Sequence, residues 1–161
     1  MAALRLIPNK SSIAHERRGV MDFESIFPEV DEKQTVKNVK HFLSVTLPRM
    51  EAISYKKITD LKSPVISDLP KAPSFGNAAE MTIYRKLYAE QIVMRCKQAI
   101  DHCDHISQVI LKRLFTESHM YDYRLMGELG YAENRFYFYK NRACLMFADA
   151  YLLDDLHSYV K

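Results

Sequence analysis

An all-α fold is what three features of the chain predict. Glycine is scarce, 4 in 161 residues, while Leu, Lys, Glu, Met and Ala, which lose little in a helix, are common. Apolar residues recur at steps of three and four over several stretches, the spacing of one buried helix face. Hydrophobic residues make up 48% and charged residues 27%, a composition that can bury a core and is unlike that of a disordered chain. The expected architecture is an N-terminal helical segment, a proline-containing connector and a C-terminal helical bundle with a helix-turn-helix.

Residues 1–20 stand apart, with Asn9-Lys10-Ser11-Ser12 and Glu16-Arg17-Arg18-Gly19 and little apolar periodicity, and they read as a mobile N-terminal extension. Met21 opens a segment that reads as a natural beginning, and residues 21–60 form the N-terminal helical segment. From Asp31 to about Ser54, Val36, Val39, Leu43, Leu47, Met50 and Ile53 mark one helix face. Asp31 and Glu32 suit the positive end of that helix. Pro48 lacks a backbone donor and is expected to kink the helix or to divide it. Residues 61–79 carry Pro64, Pro70, Pro73 and the pair Gly76-Asn77, and read as an extended connector.

The C-terminal bundle is assigned to residues 80–161. Asn77 with Glu80 fits a capping box for a helix running to about Ile100, with Tyr84, Leu87, Tyr88, Ile92, Cys96 and Ile100 inward. A further helix over His105 to Glu117 places Ile106, Val109, Ile110 and Leu114 on one face. Helices at Tyr123 to Leu129 and Ala132 to Ala148 follow, and Tyr151 to Tyr159 reads as a last helical stretch.

Several functions fall away on composition. No apolar run approaches the roughly 20 residues that a bilayer requires. The opening residues lack a signal peptide's apolar stretch and cleavage site, and three cysteines fit a reduced, cytoplasmic chain. His102-Cys103-Asp104-His105, with Cys96 nearby, has no paired Cys-x-x-Cys arrangement, so neither a metal nor a cofactor is expected. Asp154, Asp155 and His157 lack any accompanying nucleophile, and the two aspartates are better read as starting the last helix. An enzyme is not expected.

The stretch that carries function is residues 123–148. A short amphipathic helix ends at Leu129, Gly130 can take the left-handed conformation that closes it, and Tyr131 can tuck between the two helices. Glu133 then places negative charge in the first turn of the next helix. Two helices joined by a tight glycine turn are what a DNA-reading helix-turn-helix requires. With Phe136, Tyr139 and Ala143 inward, Glu133, Asn134, Tyr137, Phe138 and Asn141 face outward as candidates for base contacts. Asn pairs with adenine, Glu accepts from cytosine, and an aromatic ring can touch a thymine methyl. Arg135, Lys140 and Arg142 flank that face as candidates for phosphate contacts. A hairpin that only packs against its neighbours is the plain alternative.

The turn Leu129-Gly130-Tyr131-Ala132, with Arg135-Phe136 and Arg142-Ala143 behind it, resembles region 4 of bacterial sigma-70-type factors. Ala132 stands where that pattern has a capping Ser, and Tyr137 and Phe138 stand where it has polar residues. The wider chain resembles the ArpU family of phage and prophage regulators of Gram-positive bacteria. The resemblance rests on Phe27-Pro28-Glu29-Val30-Asp31-Glu32-Lys33, Leu61-Lys62-Ser63-Pro64, Pro70-Lys71-Ala72-Pro73-Ser74-Phe75-Gly76-Asn77, Leu129-Gly130-Tyr131 and Leu152-Leu153-Asp154-Asp155-Leu156. It implies a transcriptional regulator, an activator of late or lysis-related genes, including those for export of a cell-wall muramidase. The partners it implies are double-stranded DNA and the host RNA polymerase, and a homodimer would let paired half-sites multiply specificity. The alternatives are a repressor partner and a helical protein-interaction module.

Overall fold

The computed structural model describes residues 28–61 and 78–160, and these form an all-α structure. The first helix, α1, spans Glu32–His41. Asp31 caps it, its carboxylate accepting the Gln34 N–H at 3.0 Å. The chain continues without a break through a π-helical turn, Phe42–Thr46, into α2, Leu47–Ser54. In the π turn the Leu47 N–H bonds to the Phe42 carbonyl, one residue further back than in an α-helix. Pro48, just beyond, has no N–H to continue the ordinary ladder, so the helix absorbs it by a local change of register and does not split. Val36, Val39, Leu43 and Leu47 are buried as the spacing predicts, whereas Met50 is half-buried and Ile53 is exposed past the register change. Tyr55, in the left-handed region at φ 58°, ends α2, and a single 3₁₀ turn at Ile58–Asp60 buries Ile58.

The expected mobile extension, the extended connector and the Asn77 cap lie outside the described residues, apart from the connector's first and last positions. Helix α3 spans Ala78–His102. From Ala89 onward it buries Ile92, Val93, Cys96, Ala99 and Ile100. Its first half departs from expectation, with Leu87 and Tyr88 exposed and Tyr84 half-buried. The period is helical throughout, but the helix outruns the elements that could cover it among the described residues. Helix α4, His105–Leu111, is capped by Asp104, which accepts the Ser107 N–H at 2.8 Å, and it continues into a second π turn, Lys112–Thr116. Among the described residues, helices α5, Asp122–Leu129, and α6, Glu133–Ala150, follow.

The last stretch corrects the sequence reading, because Tyr151 to Tyr159 is not helical. It is an extended strap laid across the start of α1. Tyr159 forms an isolated antiparallel bridge with Val30. The Asp31 N–H donates to Ser158 at 2.7 Å, and the Val160 N–H donates to Glu29 at 2.9 Å. The Thr35 hydroxyl accepts from the Ser158 N–H, and the Asn38 amide donates to the Leu156 carbonyl. Asp154 and Asp155 do not start a helix, because their carboxylates accept the N–H groups of Asp155 and His157 at 3.0 and 2.9 Å. Such local bonds compete with helical ones. Tyr151 and Leu156 are buried and anchor the strap.

One apolar core joins residues from both sides of the connector. Val39, Leu43 and Leu47 lie in it with Val93, Cys96, Ile110, Leu111, Phe136 and Phe147. Among the described residues, no helix is long and apolar enough to cross a membrane.

Candidate nucleic-acid interface

Helices α5 and α6 are joined by a three-residue turn, Gly130–Ala132. Gly130 sits at φ 64°, ψ 30°, where a side chain would strain the backbone. Its N–H reaches the Gly127 carbonyl at 3.3 Å and the Tyr131 N–H reaches the Met126 carbonyl at 3.1 Å. Together these bonds form the Schellman closure of a helix end. Tyr131 is half-buried and stacks on Tyr139, ring centroids 5.4 Å apart. The Arg135 guanidinium lies over both rings, at 4.6 Å and 5.8 Å from their centroids. The turn is thereby locked by cation–π contacts in addition to its backbone bonds. Ala132 starts α6 with no side-chain cap, and its carbonyl accepts the Phe136 N–H at 2.9 Å.

One stripe of α6 changes character along its length. Tyr137, Asn141, Cys144 and Ala148 follow the i, i+4, i+7, i+11 rule of a single face. Tyr137 and Asn141 are exposed, while Cys144 and Ala148 are buried. The reason is α1. Asn38 meets the chain beyond α6, the Lys40 ammonium donates to the Asn141 side chain at 3.3 Å, and Ser44 lines a cleft with Tyr137. The two helices therefore run in opposite directions, and α1 covers the end of α6 and leaves its start open.

All five candidate base-contact residues lie on this open start. Glu133, Asn134, Tyr137, Phe138 and Asn141 are exposed, Phe138 by 63%, while Phe136 at 0% anchors the same turns to the core. The flanking cations are less free. Arg135 is exposed but stacked on the two tyrosines. Lys140 is drawn inward, its ammonium 2.7 Å from both oxygens of Asp122 at the start of α5. Arg142 lies 3.2 Å from the Asp104 carboxylate. The Asp122 tie spans 18 residues and no local pattern announces it.

Beside Tyr137 an open cleft of about 550 Å³ is lined by Ser44, Phe115, His119, Tyr121, Tyr123 and Lys140. Tyr121 and Tyr123 are exposed and stack on each other, centroids 5.8 Å apart. The pair stands at the start of α5, and sequence reading used Tyr123 only to mark where that helix begins. The residues weighed as metal or acid–base candidates are otherwise engaged. Asp104 caps α4, and the Cys103 thiol donates to the Ala99 carbonyl. Burial pushes the thiols of Cys103 and Cys144 up to about 11, and that of Cys96 further still. His157 bridges Asp155 and Asp149 at 2.8 and 2.9 Å, a strap fastening on the outside of α6.

Comparison with known proteins assigns the class. The curated relative it matches is named as a regulatory protein. An Enterococcus hirae protein named "Putative autolysin regulatory protein ArpU" is 36% identical to it over 124 residues, covering 76% of this chain and 90% of that protein. The chain belongs to the ArpU family, as the sequence resemblance implies. No family model matches it, and no solved structure matches it either.

Proposed function

We propose that this protein is a sequence-specific DNA-binding transcriptional regulator that sets the start of α6 in the major groove of double-stranded DNA. The observation that carries the reading is the change along α6. A helix held in the core by Phe136, Ala143 and Phe147 presents two turns of exposed Glu, Asn and aromatic side chains beyond its cover. Glu133, Asn134, Tyr137, Phe138 and Asn141 would read base edges, and Arg135 and Arg142 would face phosphates beside them. Lys140 reaches a phosphate only by leaving Asp122. The likeness of Leu129-Gly130-Tyr131-Ala132 to sigma region 4 supports this orientation.

The relative's name refers to autolysin regulation. With the ArpU resemblance, it supports activation of phage or prophage late or lysis-related genes, through contact with the host RNA polymerase in the cytoplasm. A single recognition helix reads few bases, so a homodimer on paired half-sites is part of the proposal. A second reading, a helical protein-interaction module, draws on the cleft with the exposed pair Tyr121 and Tyr123.

Footprinting on promoter DNA upstream of the phage lysis genes, in moderate salt, separates the readings. Wild type is compared with an Asn134→Ala, Phe138→Ala variant, chosen because both side chains are exposed and Arg135 also braces the turn. At about 1–3 kcal/mol for a good base contact, the variant is expected to lose at least tenfold in affinity for the protected site. Equal protection by both proteins means that another element reads the DNA. No protection by either moves the assignment to the interaction module.

A further inference from the structure

We infer that α1, which lies outside the hairpin, supplies the phosphate-binding edge of the interface through Lys40 and Lys37. The inference rests on the DNA reading of α6 and extends it to a helix whose sequence marks only an apolar face, for packing or self-association. Lys33, Lys37 and Lys40 follow at steps of four and three on α1, and Ser44, four residues on in the π turn that continues it, extends the stripe beside the one that Val36 and Leu43 bury.

Two contacts fix where this stripe lies. Lys40 reaches Asn141 at 3.3 Å, and Ser44 lines the cleft beside Tyr137. The Lys40 end of the stripe therefore borders the open start of α6, at the point where its cover begins, and Lys37 follows one turn along the covered part. The neighbouring cations of α6 itself are partly neutralised, Lys140 by Asp122 and Arg142 by Asp104. Lys37 and Lys40 have no carboxylate partner among the described residues. A duplex whose major groove receives α6 carries a phosphate strand on each side of that groove, and Lys40 and Lys37 stand where one of them passes. Lys37 is one turn from Lys40, about 4.5 Å along the helix, whereas Lys33 is about 10 Å away. Lys33 also sits beside Asp31 and Glu32, so the contribution should fall in the order Lys40, Lys37, Lys33.

The test measures affinity against salt for two probes, a duplex of the promoter region upstream of the lysis genes and a scrambled duplex of equal length. Each lysine–phosphate contact adds about 0.9 to the slope of log K on log salt. A Lys37→Gln, Lys40→Gln variant should lower the slope by about 1.8 on both duplexes, which over a fourfold salt range is about tenfold in affinity. The preference for promoter over scrambled DNA should stay unchanged. Asn134→Ala should do the reverse, losing preference and keeping slope. Lys33→Gln should change the slope least, and Lys37→Arg, Lys40→Arg should restore it, which excludes misfolding as the cause. An unchanged slope in the Lys37→Gln, Lys40→Gln variant, with Asn134→Ala behaving as stated, overturns the role of α1 alone. Failure of wild type to bind either duplex overturns the DNA reading and this inference together.

Discussion

Asp122 and Lys140 connect the first turn of α5 to the middle of α6, and cutting that tie gives a measurable account of what Lys140 is for. Its ammonium is 2.7 Å from both carboxylate oxygens, and the two side chains are 12% and 32% exposed. Exposed pairs couple by about 0.2–1 kcal/mol, whereas breaking a fully buried pair by removing one partner costs about 3–5 kcal/mol. This pair lies between, and a coupling of about 1–2 kcal/mol is expected from its partial burial. The single changes should be unequal. Asp122→Ala leaves an ammonium in the drier of the two positions, while Lys140→Met keeps the apolar stem and leaves a carboxylate that water can reach. Asp122→Ala should therefore destabilise more than Lys140→Met, and the double variant less than the two combined. Urea denaturation of the four proteins, with m-values checked for constancy, gives the coupling directly. Because the pair is partly buried, the coupling should survive moderate salt. A coupling below about 0.3 kcal/mol would refute the reasoning. Lys140 would then be a solvated cation, and Lys140→Met should remove about 0.9 from the DNA salt slope.

Two further perturbations address the turn and the strap. Gly130→Ala should cost roughly 1–2 kcal/mol through the backbone alone, since a Cβ there meets no atom within 4 Å. Gly130→Asn should cost less, and a neutral Gly130→Ala in thermal unfolding would mean that the left-handed turn is not held. At His157 burial pulls the imidazole down, but the hydrogen bonds and charges of Asp155 and Asp149 outweigh it and hold the proton above the usual value. A folded value above the unfolded one, near 6.5, gives a contribution that is complete below that pH and is lost as pH rises through the folded value. Hydrogen exchange at the Ser158 and Val160 amides, corrected for intrinsic rate, should show weaker protection at higher pH. His157→Gln should remove the difference, and equal protection in wild type at both pH values would exclude the fastening.

The hairpin was legible because its signals are local. Gly130, the first-turn Glu133 and the spacing of Phe136 and Ala143 all act within a few residues, and the helices fall within a residue or two of the expected bounds. The strap was not, because Leu152-Leu153-Asp154-Asp155-Leu156 has helix-like spacing. Its fate is decided by Asp154 and Asp155 bonding to their own backbone and by partners over 100 residues away in α1. The exposed face of α3 misled for the opposite reason. Tyr84, Leu87 and Tyr88 have the correct period, but period reports a face and not what lies against it. Among the candidate site residues, exposure of the five on α6 followed from phasing, whereas the pairing of Lys140 with Asp122 depended on how the two helices meet. The row Lys33, Lys37, Lys40 was not singled out in the sequence, because only the contact of Lys40 with Asn141 gives it a neighbour that matters.

The position of α1 also decides what the smallest DNA-reading unit can be. A fragment from Ala78 onward keeps the hairpin and all its candidate contact residues but removes Val36, Val39, Phe42, Leu43, Leu47 and Ile58, each buried in the shared core. Each such side chain contributes about 1.5–3 kcal/mol when fully buried, so the fragment gives up a large share of the burial that offsets the ordering entropy of α3–α6. It would also expose Cys144 and Ala148, the part of α6 that α1 covers. Such a fragment should melt without a cooperative transition and should bind a hydrophobic dye in the cold, while the full chain does neither. A sharp transition within a few degrees of the full chain would show that the α3–α6 bundle folds alone. In that case the segment from α1 to the 3₁₀ turn would be an attachment to the interface and not part of what holds it. If the fragment fails to fold, the segment from α1 to the 3₁₀ turn has two roles at once, closing the shared core and setting Lys40 at the edge of the open face of α6.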